Sequence, residues 1–147
     1  MPVLVDYNMT FLHKSWEWLN DPEIKTLTMT PDFTREDQLA FYNSLPDRKN
    51  YWIRGLMEND CPVGAMGLKH INNRNAEYWG YIGEKEFWGK GIGTFMMQQA
   101  IKKATELGLD QLYLFVDEEN QRAKQLYAGN GFLCIGPGKK EKYLLNV

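Results

Sequence analysis

A chain of 147 residues with 44% hydrophobic side chains is long enough to bury a sizeable core without metal or disulfide staples, and short enough that one domain is expected. Its formal net charge of -2 gives no reason to expect general attraction to nucleic acid or to an anionic membrane surface, local basic patches aside. No apolar run approaches the ~20 residues that cross a bilayer, and the opening MPVLVDYNMT has neither a basic nor a hydrophobic targeting stretch, so a soluble cytoplasmic domain is expected.

The spacing of Phe11, Leu12, Trp16 and Leu19 predicts a short helix over Phe11 to Leu19. Trp16 and Trp18 face different sides of it, so at least one belongs to the core. A second helix is predicted over Thr34 to Leu45, with Thr34 as N-cap and Glu36 and Asp37 favouring the positive end of the dipole. Between Tyr51 and Ile82 the period changes. Tyr51 to Ile53, Val63 to Ile71 and Ala76 to Ile82, separated by ENDCP and NNRN, read as an antiparallel meander.

An amphipathic helix of about four turns follows, with Ile92, Met96, Ala100, Ala104 and Leu107 on one face and Gly108 at its end. Leu112 to Val116 is continuously apolar, as in an interior strand. A right-handed crossover then sets the strand around Tyr81 parallel to the one around Leu114. Asn120 caps a short helix carrying Ala123, Leu126 and Tyr127, ended by Gly131, and Phe132 to Ile135 with Lys142 to Val147 form a closing hairpin. The expected class is α/β, a mixed central sheet flanked by helices.

The segment EFWGKGIGT, Glu86 to Thr94, places glycines at alternate positions immediately before the long helix. A glycine-rich turn from strand to helix exposes backbone N–H groups at the positive end of the helix dipole, with no Cβ to hold an anion away. Two phosphate loops fail on spelling. Lys90 precedes Gly91, so G-x-x-x-x-G-K-[ST] is absent, and neither register of G-x-G-x-x-G finds its third glycine. A tight turn packed against a neighbouring helix is the competing explanation.

What does fit is x-x-x-G-x-G entering a helix, followed some thirty residues later by N-x-x-A-x-x-L-Y-x-x-x-G-F, here Asn120 to Phe132. With both motifs in this order the sequence resembles the GNAT superfamily of acyl-CoA N-acyltransferases, over nearly the whole chain by order of elements. Trp88 stands where that family usually has Gln or Arg, a departure shared with branches resembling the ribosomal-protein acetyltransferases. The resemblance implies that acetyl-CoA is the co-substrate. It implies that the backbone of Trp88, Gly89, Lys90, Gly91, Ile92, Gly93 and Thr94 holds the diphosphate, that Tyr81, Ile82 and Gly83 pair with the pantetheine amides beside a splay in the sheet, and that Asn120 assists. It also implies that Tyr127 points its hydroxyl at the coenzyme sulfur.

Moving an acetyl group from a thioester to an amine requires a neutral amine and a proton for the departing thiolate. Tyr127 is the candidate acid, and packing on the apolar stripe of its helix is its other reading. Glu77, four residues before Tyr81 and therefore on the same face, is the candidate base. His70 competes with it, and a surface glutamate is the plain alternative. Two distant histidines and two distant cysteines, Cys61 and Cys134, offer no metal-ligand spacing, so no metal is expected.

The expected acceptor is a small-molecule amine. The W-x-x-D-P-x-I opening from Trp18 and the R-E-D-x-x-x-F spacing from Arg35 resemble branches that acetylate nucleotide-linked amino sugars or protein N-termini. An N-terminal peptide, a polyamine or a non-catalytic acyl-CoA sensor are the alternatives. Nucleic-acid and membrane partners are not expected, and monomer and homodimer both stand open.

Overall fold

In the computed structural model, which describes residues 1–147, the strands form one seven-stranded sheet in the order β1-β2-β3-β4-β5-β7-β6. Strand β1 (Val3–Asp6) and helices α1 (Met9–Asn20), α2 (Pro22–Leu27) and α3 (Arg35–Ser44) precede the meander β2 (Trp52–Glu58), β3 (Cys61–Lys69) and β4 (Asn75–Ile82). Helix α4 (Ile92–Glu106), β5 (Gln111–Asp117), α5 (Gln121–Gly129), β6 (Leu133–Gly136) and β7 (Lys140–Asn146) complete the chain.

Local chemistry starts most of the helices. Side chains cap α1 (Asn8), α2 (Asp21, with Pro22 next), α3 (Thr34, in a reciprocal box with Asp37) and α5 (Asn120), each satisfying amides that helix geometry leaves without a partner. Helix α4 begins at Gly91 with no side-chain cap.

Helices cover both faces of the sheet. Helix α1 lays Phe11 against Gly55 and Trp18 against Gly83, close enough that a Cβ at either glycine would collide with the ring. Trp18 is the buried member of its pair, while Trp16 packs edge-on to Phe33 with the Arg35 guanidinium 4.5 Å from its ring. On the other face Met96, Met97, Ala100 and Ala104 of α4 pack with Met66, Leu68, Tyr78, Leu112 and Leu114 in the principal core. Burial of this cluster supplies the main driving force for folding. No helix is long and apolar enough to cross a membrane.

Two features depart from the sequence reading. Strand β1 and helix α2 were not anticipated, because each is too short to declare a period. Strand β7 lies between β5 and β6, antiparallel to both, so the final hairpin enters the sheet by its second strand. The β4 and β5 strands are parallel, and their pairing runs only from Asn75–Gln111 to Glu77–Tyr113, which leaves the splay that the resemblance implies. Around Tyr81 the two strands have already parted.

Candidate active site

A one-turn helix at Lys85–Phe87 leads into the glycine segment. Gly89 and Gly91 hold φ of +73° and +82°, a left-handed backbone that costs other L-residues about 1–2 kcal/mol. The Phe87 and Trp88 amides donate to Glu84 and Lys85, and Phe95 is the next to find an acceptor, on Gly91. From Gly89 through Thr94, consecutive N–H groups meet no acceptor within the chain. The space a Cβ would occupy at Gly89 or Gly91 is open, whereas at Gly93 it would lie 2.9 Å from Leu126 Cδ2. The glycines therefore divide between two needs: two shape an open amide cradle, and one lets α5 approach α4. Unpaired amides at a helix N-terminus fit a diphosphate.

The cradle forms one end of a cavity of about 760 Å³ that runs through the β4/β5 splay. Gly83 N–H donates to Val63 at 2.7 Å, in register with the Ala65–Tyr81 pair. Strand alternation then turns Tyr81 toward β3 and leaves Gly80 and Ile82 facing the splay. The sequence expectation has Tyr81 and Gly83 offer their amides to pantetheine; both amides are turned toward β3, while those of Gly80 and Ile82 face the gap. The Ile82 carbonyl already accepts the Trp88 indole N–H at 2.9 Å.

Tyr127 lies on the α4 and α5 side of the cavity, its ring 6.2 Å from Tyr78, 5.9 Å from Phe132 and 6.3 Å from Tyr143. Burial pushes its phenol up to about 12, which keeps the proton on oxygen at neutral pH, where it can be donated. Glu77 projects from the opposite face of β4, on the side of Trp79 and Tyr81. Its side chain is only 14% exposed, with Lys69 Nζ at 3.7 Å and His70 Nε2 at 3.9 Å. The splay makes both faces part of one cavity.

An aromatic row continues beyond Glu77. Phe41 meets Tyr51 at 5.8 Å, Tyr51 meets Trp79 at 6.3 Å, and Trp79 meets Tyr81 at 6.4 Å. The Trp79 indole N–H is buried without a hydrogen-bond acceptor, an unusual and costly state for a donor. Burial raises Tyr81 and Tyr78 well above the ordinary phenol range.

Of the residues singled out by sequence, Glu77, Tyr81, Ile82, Trp88, Gly89, Gly91, Ile92, Gly93, Thr94, Asn120 and Tyr127 line this cavity; Gly83, Lys90 and His70 do not. Asn120 is a cap, its side chain accepting from Ala123 N–H at 3.2 Å. Sequence reasoning did not single out Gly80, whose facing toward the gap depends on strand parity, or Arg122, which sits inside the second motif as an unspecified position; both line the cavity. No group of three or more His, Cys, Asp or Glu is placed to hold a metal ion.

The chain is similar to N-alpha-acetyltransferase 30 of Saccharomyces cerevisiae, 34% identical over 91 residues that make up 59% of this chain and 51% of that protein. The curated relatives it matches are longer, and it covers between 23% and 51% of their lengths. Among solved structures, spermidine N-acetyltransferase from Vibrio cholerae in complex with CoA and spermine superposes with a TM-score of 0.87 at 22% identity, covering 99% of this chain and 95% of that one. Campylobacter jejuni N-acetyltransferase PseH in complex with acetyl coenzyme A does so with a TM-score of 0.76 at 20% identity, covering 99% of each. These structural likenesses are likenesses of fold. The family model for the acetyltransferase (GNAT) family matches residues 12–132, and with the amide cradle, the splayed strands and the asparagine-to-tyrosine helix all in place, the chain belongs to that family.

Proposed function

We propose that the protein is an acetyl-CoA-dependent N-acetyltransferase acting on a primary amine of a small molecule. The observation that carries this reading is the unpaired run of amides from Gly89 to Thr94 at one end of a cavity whose walls also hold Tyr127 and Glu77. Acetyl-CoA supplies the activated acyl carbon. The cradle amides and the α4 dipole bind its diphosphate, and the Gly80 backbone and the Ile82 N–H meet the amide-bearing arm.

Glu77 takes a proton from the amine as its nitrogen bonds the acyl carbon, and Tyr127 gives its proton to the sulfur as the carbon–sulfur bond breaks. Lys69 Nζ lies 3.7 Å from the Glu77 carboxylate, on the side from which the amine would approach it. The two groups approach from opposite faces of β4, which separates the incoming amine from the leaving thiolate. Their presence in one cavity favours turnover over a silent acyl-CoA sensor.

For the acceptor, a nucleotide-linked amino sugar is the first choice, supported by the aromatic row on which a planar ring can stack. The relatives named for N-terminal and spermidine acetylation make an N-terminal peptide and a polyamine the alternatives. Thiol release from acetyl-CoA, measured over a panel of these three amine classes, tests the reading. Turnover is expected with at least one, and stabilisation in thermal shift is expected from acetyl-CoA but not from NAD or ATP. Stabilisation by NAD instead would sink it.

A further inference from the structure

Arg122 is the second residue of α5, and its guanidinium carbon lies 4.4 Å from the centroid of the Trp88 ring. Both residues line the cavity. Trp88 is itself anchored, its indole N–H on the Ile82 carbonyl at 2.9 Å and its backbone adjoining Gly89. Stacking on an aromatic face leaves the in-plane donors of a guanidinium free, and those donors match phosphate oxygens.

The other cations near the cavity are engaged elsewhere. Lys85 reaches the same ring at 5.9 Å but is held by Asp21 and Glu23 at 3.0 Å each. Lys69 sits beside Glu77, Lys140 lies over Phe115 with Nζ 4.4 Å from the ring, and the Lys90 side chain is not part of the wall. Arg122 is in none of the salt bridges of the chain. We propose that Arg122, held over the Trp88 ring, is the cation that binds the diphosphate entering the Gly89–Thr94 cradle, with Trp88 as its positioning residue. This rests on the coenzyme reading above. It moves the charge from the loop, where Lys90 stands, to the facing helix.

The test is calorimetric titration of the intact protein with CoA and with 3′-dephospho-CoA, fold being checked by circular dichroism. Arg122→Gln is expected to weaken both ligands by about tenfold, the scale of one charge-assisted hydrogen-bonded contact. That loss should exceed those of Lys90→Gln and Lys140→Gln. Arg122→Lys, which keeps charge without the planar fork, is expected to fall between wild type and Arg122→Gln. In a Trp88→Leu background Arg122→Gln should cost much less, because the guanidinium is no longer held in place.

Unchanged binding by Arg122→Gln overturns the proposal, as does a larger loss from either lysine variant. A loss seen with CoA but absent with 3′-dephospho-CoA also overturns it, by assigning Arg122 to the 3′-phosphate. Full additivity of the Trp88 and Arg122 substitutions removes Trp88 from the role. If the folded wild type binds neither ligand, the coenzyme reading itself falls and the Arg122 assignment falls with it.

Discussion

The roles proposed for Tyr127 and Glu77 rest on their side-chain environments. The phenol is enclosed by Tyr78, Phe132 and Tyr143 and forms no hydrogen bond within the chain, so its proton is available to a group entering the cavity. Tyr127→Phe keeps the ring packing and removes only that proton; kcat is expected to fall about 10²-fold while the Kd for CoA stays within about twofold. Equal kcat in single-turnover kinetics would return Tyr127 to a packing role. Glu77→Gln is expected to lower kcat/KM by a similar ~10² factor, since the amide cannot accept the amine proton. His70 touches this carboxylate from an exposed position outside the cavity wall, so His70→Ala should change kcat/KM far less than Glu77→Gln. The reverse ranking would make His70 the base. Glu77 could be nominated from sequence because strand parity relates it to Tyr81. Arg122 could not, because its significance arises from Trp88, distant in sequence.

The junction of α4 and α5 is the element on which the site depends. Gly93 lets Leu126 approach so closely that an added Cβ would lie 2.9 Å from Leu126 Cδ2. Gly93→Ala is therefore expected to destabilise the protein by about 1–3 kcal/mol, as overpacking does. Because the clash is with the end of a side chain, Gly93→Ala combined with Leu126→Ala should be less destabilised than the sum of the two single variants, a coupling read from chemical denaturation midpoints. Strict additivity would show that the two positions do not compete for the same space. Gly91→Ala tests the other use of glycine. At φ of +82° it should cost about 1–2 kcal/mol and also weaken CoA, because the same backbone shapes the amide cradle. The glycine spacing was visible in the sequence, but its division between cradle and packing was not.

Across the whole molecule, burial raises Tyr78, Tyr81 and Tyr127 together, Tyr127 to about 12. An unfolded chain releases such protons near ~10, whereas the folded chain retains them, so the unfolded state binds fewer protons above that pH and stability falls as pH rises. Denaturation midpoints are expected to show no loss from these groups below about pH 10 and to decline between about pH 10 and 12; Tyr127→Phe should soften the decline. A flat profile across that window would show that these phenols do not carry the linkage. The amino-acid sequence by itself determined the alternation of helices and strands, the parallel crossover and the two family motifs, because periodicity, caps and glycines act over neighbouring residues. Only the tertiary structure decided where β4 and β5 part, which strand residues face the gap, that β7 enters the sheet beside β5, and that Arg122 meets Trp88. Each of those depends on contacts between segments far apart in the chain, whose relative placement is fixed by packing on the two faces of the sheet.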